Sequence, residues 1–294
     1  MTVSEGHIPD GFSNGRAALV IAHPGHELLV HGWLELARPL VFVLTDGSGR
    51  TDQSRLAYTS DLLKQTGAEP GSLYGRMTDR AAYAAILDHN FDFFIRLAEE
   101  LAAAFIKERI EFVAGDAAEG YSPTHDLCRL LINAAIAIVK QDSGRRLANF
   151  EFTLVKPPDP ALATVAPNNV VVKLDEEAFT RKMAAAKGYA ALATEVDKTL
   201  GRTSHDAYKI ECLHAVNGYL DGFYNGQSPY YEEYGEKQVA SGYYKCVLRY
   251  AQHIQPLAEA ISLHLESRTT KKTNSPSRVS HNAKRPLIKL NRIK

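Results

Sequence analysis

Short apolar runs that end at turn residues alternate with longer segments of helical apolar spacing along the first half of the chain. Uninterrupted aliphatic runs such as AALVIA and PLVFVLT are typical of strands that are buried on both faces. The pattern predicts strands at Ala17 to Ala22, Pro39 to Thr45 and Ile110 to Ala114, and helices at Glu27 to Ala37, Arg55 to Thr66, Asn90 to Glu108 and Leu127 to Lys140.

This alternation predicts the fold class. Strands that alternate with helices favour an α/β fold with a Rossmann-like, doubly wound, mostly parallel sheet and helices on both faces. Ligands of such folds bind outside the carboxyl ends of the strands. Polar clusters follow the three predicted strands at His23 to Glu27, Asp46 to Gly49 and Asp116 to Asp126. We therefore expect these clusters to meet at one edge of the sheet.

The second half of the chain has a different pattern. Two predicted strands, Asn149 to Lys156 and Asn169 to Leu174, are followed by helical segments at Glu176 to Leu200, Asp206 to Leu213 and Glu236 to Glu266. We predict an α/β domain at 1–200, a helical, Tyr-rich C-terminal extension packed on it at 201–267, and a basic disordered tail at 268–294.

The charges are segregated along the chain. The totals of basic and acidic residues are equal at 34 each, but nine Lys or Arg and no acid lie from Arg268 onward. The body therefore carries 25 basic and 34 acidic residues. An acidic body lacks the clustered cations that neutralise phosphates, which argues against nucleic acid as a partner.

The amino-acid composition further narrows the class of protein. A chain of 294 residues with 45% hydrophobic and 23% charged residues is typical of a globular protein. The longest uncharged apolar run, Leu130 to Val139, is half of the ~20 residues that span a bilayer, so no transmembrane segment is predicted. Three scattered cysteines indicate a reducing compartment, and we predict a cytoplasmic location.

Three histidines fall in the polar clusters. His23 and His26 lie three residues apart after the first predicted strand, and His125 ends the loop after the third. Three neutral imidazoles suit a catalytic Zn²⁺, or another divalent metal, with one position open for water. A histidine in a loop is more often a surface or hydrogen-bonding residue, so a His-x-x-His pair needs structural context.

The segment Ala22-His23-Pro24-Gly25-His26-Glu27 resembles the Ala-His-Pro-Asp-Asp-Glu motif of the PIG-L (LmbE-like) zinc-dependent N-deacetylases. The segments 44–49 and 122–125 are similar to the Gly-rich and His-Pro-x-His segments of that family, and 180–190 is more weakly similar to its following helix. The resemblance implies metal ligands at His23, His26 and His125, where His26 replaces a carboxylate.

Two positions depart from the family pattern. Gly25 stands where the family has the Asp that acts as general base, and Ser122 replaces a histidine. Another carboxylate must then take the proton. The candidates are Glu119, Asp116, Glu27 and Asp46, while Tyr121 or Ser122 is a candidate hydrogen-bond donor to the oxyanion.

Structural roles for the same residues stay open. Asp46 also fits a simple turn, Glu27 fits a helix N-terminus, and Asp116 or Asp126 fits a residue that orients a liganding histidine. Tyr121 and Ser122 fit loop packing equally well.

The other motifs in the sequence add little to the functional interpretation. No Gly-x-Gly-x-x-Gly follows the first strand, which argues against a nicotinamide dehydrogenase. Eight of the 14 tyrosines lie between Tyr219 and Tyr250. Aromatic rings with polar tips suit cores, subunit contacts and sugar platforms. We favour packing or a homo-oligomer contact over a sugar platform.

Two functions fit these residues. The first is a zinc-dependent hydrolase, an N-deacetylase that removes an acyl group from an amino sugar or sugar conjugate with metal-activated water. The second is a catalytically degenerate metal- or sugar-binding protein of a glycan-assembly system, because the usual base is missing at Gly25.

Overall fold

The computed structural model describes residues 15–155, 169–202, 205–216 and 228–273. Within them one sheet has the strand order β3-β2-β1-β4-β5-β7-β6. The first five of these are parallel, and β7 runs antiparallel to both β5 and β6. The strands are β1 Ala17–Ile21, β2 Leu40–Thr45, β3 Glu69–Met77, β4 Phe112–Asp116, β5 Ala148–Phe152, β6 Val170–Lys173 and β7 Ile210–Ala215. The predicted α/β class with a mostly parallel sheet is confirmed.

The α-helices of the described chain pack on this sheet or extend beyond it. Short 3₁₀ turns lie at His26–Val30, Ala190–Leu192 and His205–Lys209, and a π-helical turn lies at Tyr250–Ile254. The helices are α1 His31–Ala37, α2 Leu56–Thr66, α3 Asp79–Leu87, α4 Phe91–Lys107, α5 Pro123–Ser143, α6 Glu176–Gly188, α7 Ala193–Arg202, α8 Tyr230–Ala240 and α9 Gln255–Thr273.

Alternate residues of β1 serve two separate cores. Ala18 and Val20 face a cluster built with α4, α5 and α9, whereas Leu19 and Ile21 face a cluster built with α1 and α2. Successive side chains of a strand point to opposite faces, so a strand with two packed faces is apolar throughout. The predicted helices on both faces are therefore confirmed, and the polar loops are left at the sheet edge.

The helix predicted at Asp206 to Leu213 is wrong. Ile210–Ala215 forms β7, which pairs with β5 at Phe150 and with β6 along Val170–Lys173. Strand pairing between two neighbours and burial override a weak helical pattern. The sheet thus continues beyond residue 200, where the predicted α/β domain ends.

Two long predicted helices are broken. The segment from Glu176 is interrupted by the 3₁₀ turn Ala190–Leu192, and the segment from Glu236 is interrupted between α8 and the π-helical turn. Gly242 in the second break has a φ of 75°, a left-handed conformation that ends a helix. The prediction also missed β3 and α3.

Helix α9 extends into the predicted tail. Arg268 contacts Glu99 on α4 at 2.9 Å and Asp142 on α5 at 2.7 Å. These ion pairs hold the helix against the body at Arg268, and the helix continues to Thr273, so the disorder predicted from residue 268 is wrong for 268–273. The rest of the predicted tail lies outside the described residues. No helix in the described ranges has the length and apolar character needed to cross a bilayer.

A buried ion pair joins the C-terminal half to the first helix. Lys182 Nζ on α6 lies 2.8 Å from Glu211 Oε1 on β7. The Glu211 carboxylate also accepts hydrogen bonds from the backbone N–H groups of Gly32 and Trp33 at the start of α1. One carboxylate therefore fixes three elements behind the turn that follows β1.

Candidate active site

Three imidazole rings meet at the carboxyl end of the parallel strands. The ring centroids of His23 and His26 are 5.3 Å apart, those of His23 and His125 are 5.3 Å apart, and those of His26 and His125 are 4.7 Å apart. His23 and His26 follow β1, and His125 lies in the first turn of α5 after β4. Adjacent parallel strands end at the same edge, which brings together residues about 100 positions apart in the sequence.

A half-buried carboxylate, Asp79, and a buried one, Asp116, orient two of these rings. His23 Nδ1 lies 2.8 Å from Asp79 Oδ1 and 2.8 Å from Thr45 Oγ1. His26 Nδ1 lies 2.8 Å from Asp116 Oδ2. Bonding at Nδ1 leaves Nε2 of each ring for a metal, and carboxylate–histidine pairs of this kind are common behind metal ligands.

Burial keeps two of the rings neutral. Desolvation lowers the pKa of His23, although Asp79 opposes this effect. Desolvation and the neighbouring imidazoles hold the pKa of His125 well below its usual value. Burial raises the pKa of Asp79, but the contacts with His23, Thr45 and Gly49 together outweigh it, so the pKa is lowered overall. Metal binding requires neutral imidazole, so both rings are in the form that a metal needs.

The donor set and spacing suit a divalent metal. With Zn–N bonds of about 2.1 Å and tetrahedral angles, the centroids of three liganding imidazoles stand about 5 Å apart. His125 Nδ1 is buried and has no hydrogen-bond partner in the described part of the chain. As they stand, however, no three His, Cys, Asp or Glu side chains among the described residues are arranged to hold an ion. The three imidazole rings must therefore change their orientation before they can coordinate one metal ion together.

The four candidate bases have structural partners. Asp116 is fully buried, and its Oδ2 also accepts a hydrogen bond from Ala22 N. Both oxygens of buried Glu27 are bonded, one by Gly25 N at 2.7 Å and the other by the Thr59 hydroxyl at 2.6 Å. Burial raises the pKa of this glutamate.

Asp46 and Glu119 hold loops. Asp46 Oδ1 accepts hydrogen bonds from the backbone N–H and the hydroxyl of Ser48, the pattern of an Asx turn. Glu119 Oε2 accepts from Leu154 N at 2.6 Å and Val155 N at 3.2 Å. Asp126, also considered as an orienting residue, accepts a hydrogen bond from Gly120 N.

A cavity of about 390 Å³ opens beside the histidines. His26 and His125 lie on its wall, and much of the remaining wall is apolar, with contributions from α6, α7 and the segment that follows β5. The apolar contributors include Leu28, Leu29, Leu154, Val155, Met183, Ala186, Leu192, Val196 and Leu200. The two imidazoles therefore face a space that accepts an apolar group.

Aromatic rings flank His125. Tyr121 stacks at 6.3 Å on the His125 ring and at 5.2 Å on Tyr230, with its plane 7° from that of Tyr230. Tyr121 and Tyr230 keep 47% and 48% of their surface exposed. Ser122 is the N-cap residue of α5, and its carbonyl accepts from His125 N at 3.1 Å. Tyr121 lines the cavity, as an oxyanion donor must.

Sequence reasoning missed Asp79 and Thr45. Thr45 is the last residue of a predicted strand, so its position at the edge was available from the pattern. Asp79 begins α3, which follows the missed strand β3, and its other oxygen accepts from Gly49 N. The signal that was available was Thr78 before Asp79, because Thr78 accepts a hydrogen bond from Ala81 N as a helix N-cap.

Comparison with known proteins gave structural likenesses only. No family model matches the chain, and no curated protein matches it. The crystal structure of the deacetylase of the A40926 pseudoaglycone has 19% identity and a TM-score of 0.47 and covers 70% of this chain and 99% of its own. The zinc-inhibited form of the teicoplanin deacetylase has 12% identity and a TM-score of 0.43, covering 68% and 99%. At such values the likeness does not establish a family.

Proposed function

We propose that this protein is a metal-dependent hydrolase that removes an acyl group from the nitrogen of an amino sugar or sugar conjugate. The observation that carries the proposal is the meeting of His23, His26 and His125 at the sheet edge, beside a cavity with an apolar wall. The Ala-His-Pro-x-x-Glu resemblance at 22–27 supports the same reaction class.

Each histidine has a role in this proposal. His23, His26 and His125 would hold the ion, with Asp79 and Asp116 fixing the orientation of the first two rings. When bound, a divalent ion polarises the amide carbonyl and makes water a usable nucleophile near neutral pH. Tyr121, on the cavity wall, donates a hydrogen bond toward the carbonyl oxygen as negative charge develops there.

The cavity indicates which end of the substrate lies inside. Its apolar wall suits the alkyl part of an acyl group, whereas the polar sugar is better placed toward the exposed tyrosines at 121 and 230. A volume of about 390 Å³ exceeds what an acetyl group fills. We therefore include acyl groups longer than acetyl among the substrates.

The test is a release assay for free amine. Zinc-loaded protein is incubated with amino sugars that carry N-acetyl, N-butyryl and N-octanoyl groups. We expect turnover that is lost in His125→Ala and retained in His264→Ala, a matched substitution of a histidine that contacts Glu99 on the far helical layer. Equal turnover in the two variants would refute the assignment.

The second candidate is a protein that binds metal or sugar and catalyses no reaction. It is favoured by Gly25, which cannot accept a proton at the position where the resemblance places the base. Stoichiometric zinc, together with sugar binding but no release of amine from any of these substrates, is the result expected for it. A purified chain that binds no divalent ion contradicts the hydrolase and the metal-binding form of the second candidate, and it leaves only sugar binding.

A further inference from the structure

The turn after β1 has no room for a side chain at position 25. Gly25 has a φ of 110°, which L residues rarely adopt. A Cβ atom placed there would stand 2.3 Å from Leu192 Cδ1 and 3.8 Å from the Tyr189 ring. The space beside the histidines that a carboxylate at position 25 would enter is thus taken by the 3₁₀ turn that precedes α7.

The same segment lines the cavity with one face. Leu192, Glu195, Val196 and Thr199 all line the cavity that His26 and His125 share. Residues spaced by three and four positions lie on one face of a helix, so these four form a continuous stripe. The segment that excludes a carboxylate from the turn therefore brings its own carboxylate to the cavity.

Glu195 is the one carboxylate among the described residues that line this cavity. Asp116, Glu27, Asp46 and Glu119 are absent from its wall, and each has at least one oxygen bonded to a backbone N–H group. Asp116 Oδ1 and Glu119 Oε1 have no hydrogen-bond partner among the described residues, but both atoms are buried away from the cavity. Glu195 is exposed on α7. A general base must come within hydrogen-bond reach of the attacking water, and a side chain on the cavity wall is placed to do so.

We propose that Glu195 is the general base of the reaction, a proposal that rests on the proposed function. Glu195 takes a proton from water as the water oxygen bonds to the amide carbon. It returns that proton to the nitrogen as the C–N bond breaks, which leaves a carboxylic acid and a free amine. The carboxylate that Gly25 lacks is thus supplied from α7, beyond Leu192.

The decisive experiment compares Glu195→Gln with Asp197→Asn. Asp197 is two residues further along the same helix and is exposed, but it does not line the cavity. We expect Glu195→Gln to lower kcat by about 10²–10⁴-fold with little change in KM, and Asp197→Asn to stay close to wild type. Zinc content and binding of the N-acyl sugar, measured by calorimetry, stay at the wild-type level in both variants.

Chemical rescue provides a second test. In Glu195→Ala, added formate occupies the vacated space and restores part of the turnover, whereas it has no effect on His125→Ala. A Glu195→Gln protein that turns over at the wild-type rate overturns this role and leaves the proposed function intact. The role is also overturned if the variant loses zinc or substrate binding together with kcat, since that result indicates a structural role. A wild-type protein that releases no amine overturns both proposals.

Discussion

Asp116 holds the end of β1 and the ring of His26 with one oxygen atom. Its Oδ2 accepts a hydrogen bond from Ala22 N at 2.8 Å and lies 2.8 Å from His26 Nδ1. The carboxylate is completely buried at the end of β4. The position of one candidate metal ligand is therefore set by the neighbouring strand.

We expect Asp116→Asn to weaken zinc binding by about 10–100-fold, because the substitution removes the negative charge behind His26. The measurement is a competition titration against a chelator of known affinity. Asp46→Asn is the control, since Asp46 contacts Ser48 and no imidazole of the cluster. Equal zinc affinity in Asp116→Asn and the control would show that this pair does not support the site.

Gly25→Ala is expected to destabilise the fold by about 2–4 kcal/mol, because it combines an unfavourable φ with a contact to Leu192. Urea unfolding measures the change. In a Leu192→Ala background the contact is absent, and the same substitution should cost at least about 1 kcal/mol less. An identical cost in both backgrounds would contradict the packing of Leu192 on this turn.

Lys182→Ala leaves the buried Glu211 carboxylate without its cation, and we expect a loss of about 3–5 kcal/mol in the free energy of unfolding. The matched control is Lys64→Ala, which breaks an exposed pair with Asp61 and should cost less than about 1 kcal/mol. Similar midpoints in urea for the two variants would argue against the buried pair.

His31 gives a prediction for pH. Burial lowers the pKa of this ring, and its Nδ1 has no partner in the described part of the chain. Below pH of about 6.5 the unfolded chain takes a proton that the folded ring resists, so stability falls as the pH drops. The free energy of unfolding of His31→Leu, measured in urea relative to the wild type, should therefore be higher at pH 5.5 than at pH 7.5.

An exposed histidine is the control for this comparison. His205 is exposed, so its surroundings change little on unfolding. The free energy of unfolding of His205→Leu should differ from that of the wild type by the same amount at both pH values. A His31→Leu protein that behaves in the same way would contradict a buried, neutral His31.

Sequence patterns predicted the central sheet well. β1 and β2 are apolar runs because both of their faces are packed, and this burial is visible directly in the sequence. The edge strand β3 was missed because its sequence EPGSLYGRM mixes polar residues, Pro and Gly, which an edge strand tolerates. β7 was missed because strand pairing with distant β5 and β6 decides its conformation.

The candidate site was predicted only in part. The positions of His23, His26 and His125 at strand ends followed from topology, since parallel strands place their carboxyl ends together. The contact of Asp79 with His23 depends on the missed β3 and α3. Glu195 lies far along the chain on a helix, and its relation to the histidines depends on the packing of Leu192 against Gly25 and on the cavity wall that they share.

The two apolar layers on either side of the sheet have a consequence for how the protein matures. The three imidazoles stand at the rim of these layers, so the hydrophobic burial that drives folding does not depend on an ion. Under the proposed function, a cell short of zinc would then accumulate folded but idle protein, ready for activation when the ion is supplied. Abundance would follow synthesis, whereas catalytic output would follow metal supply.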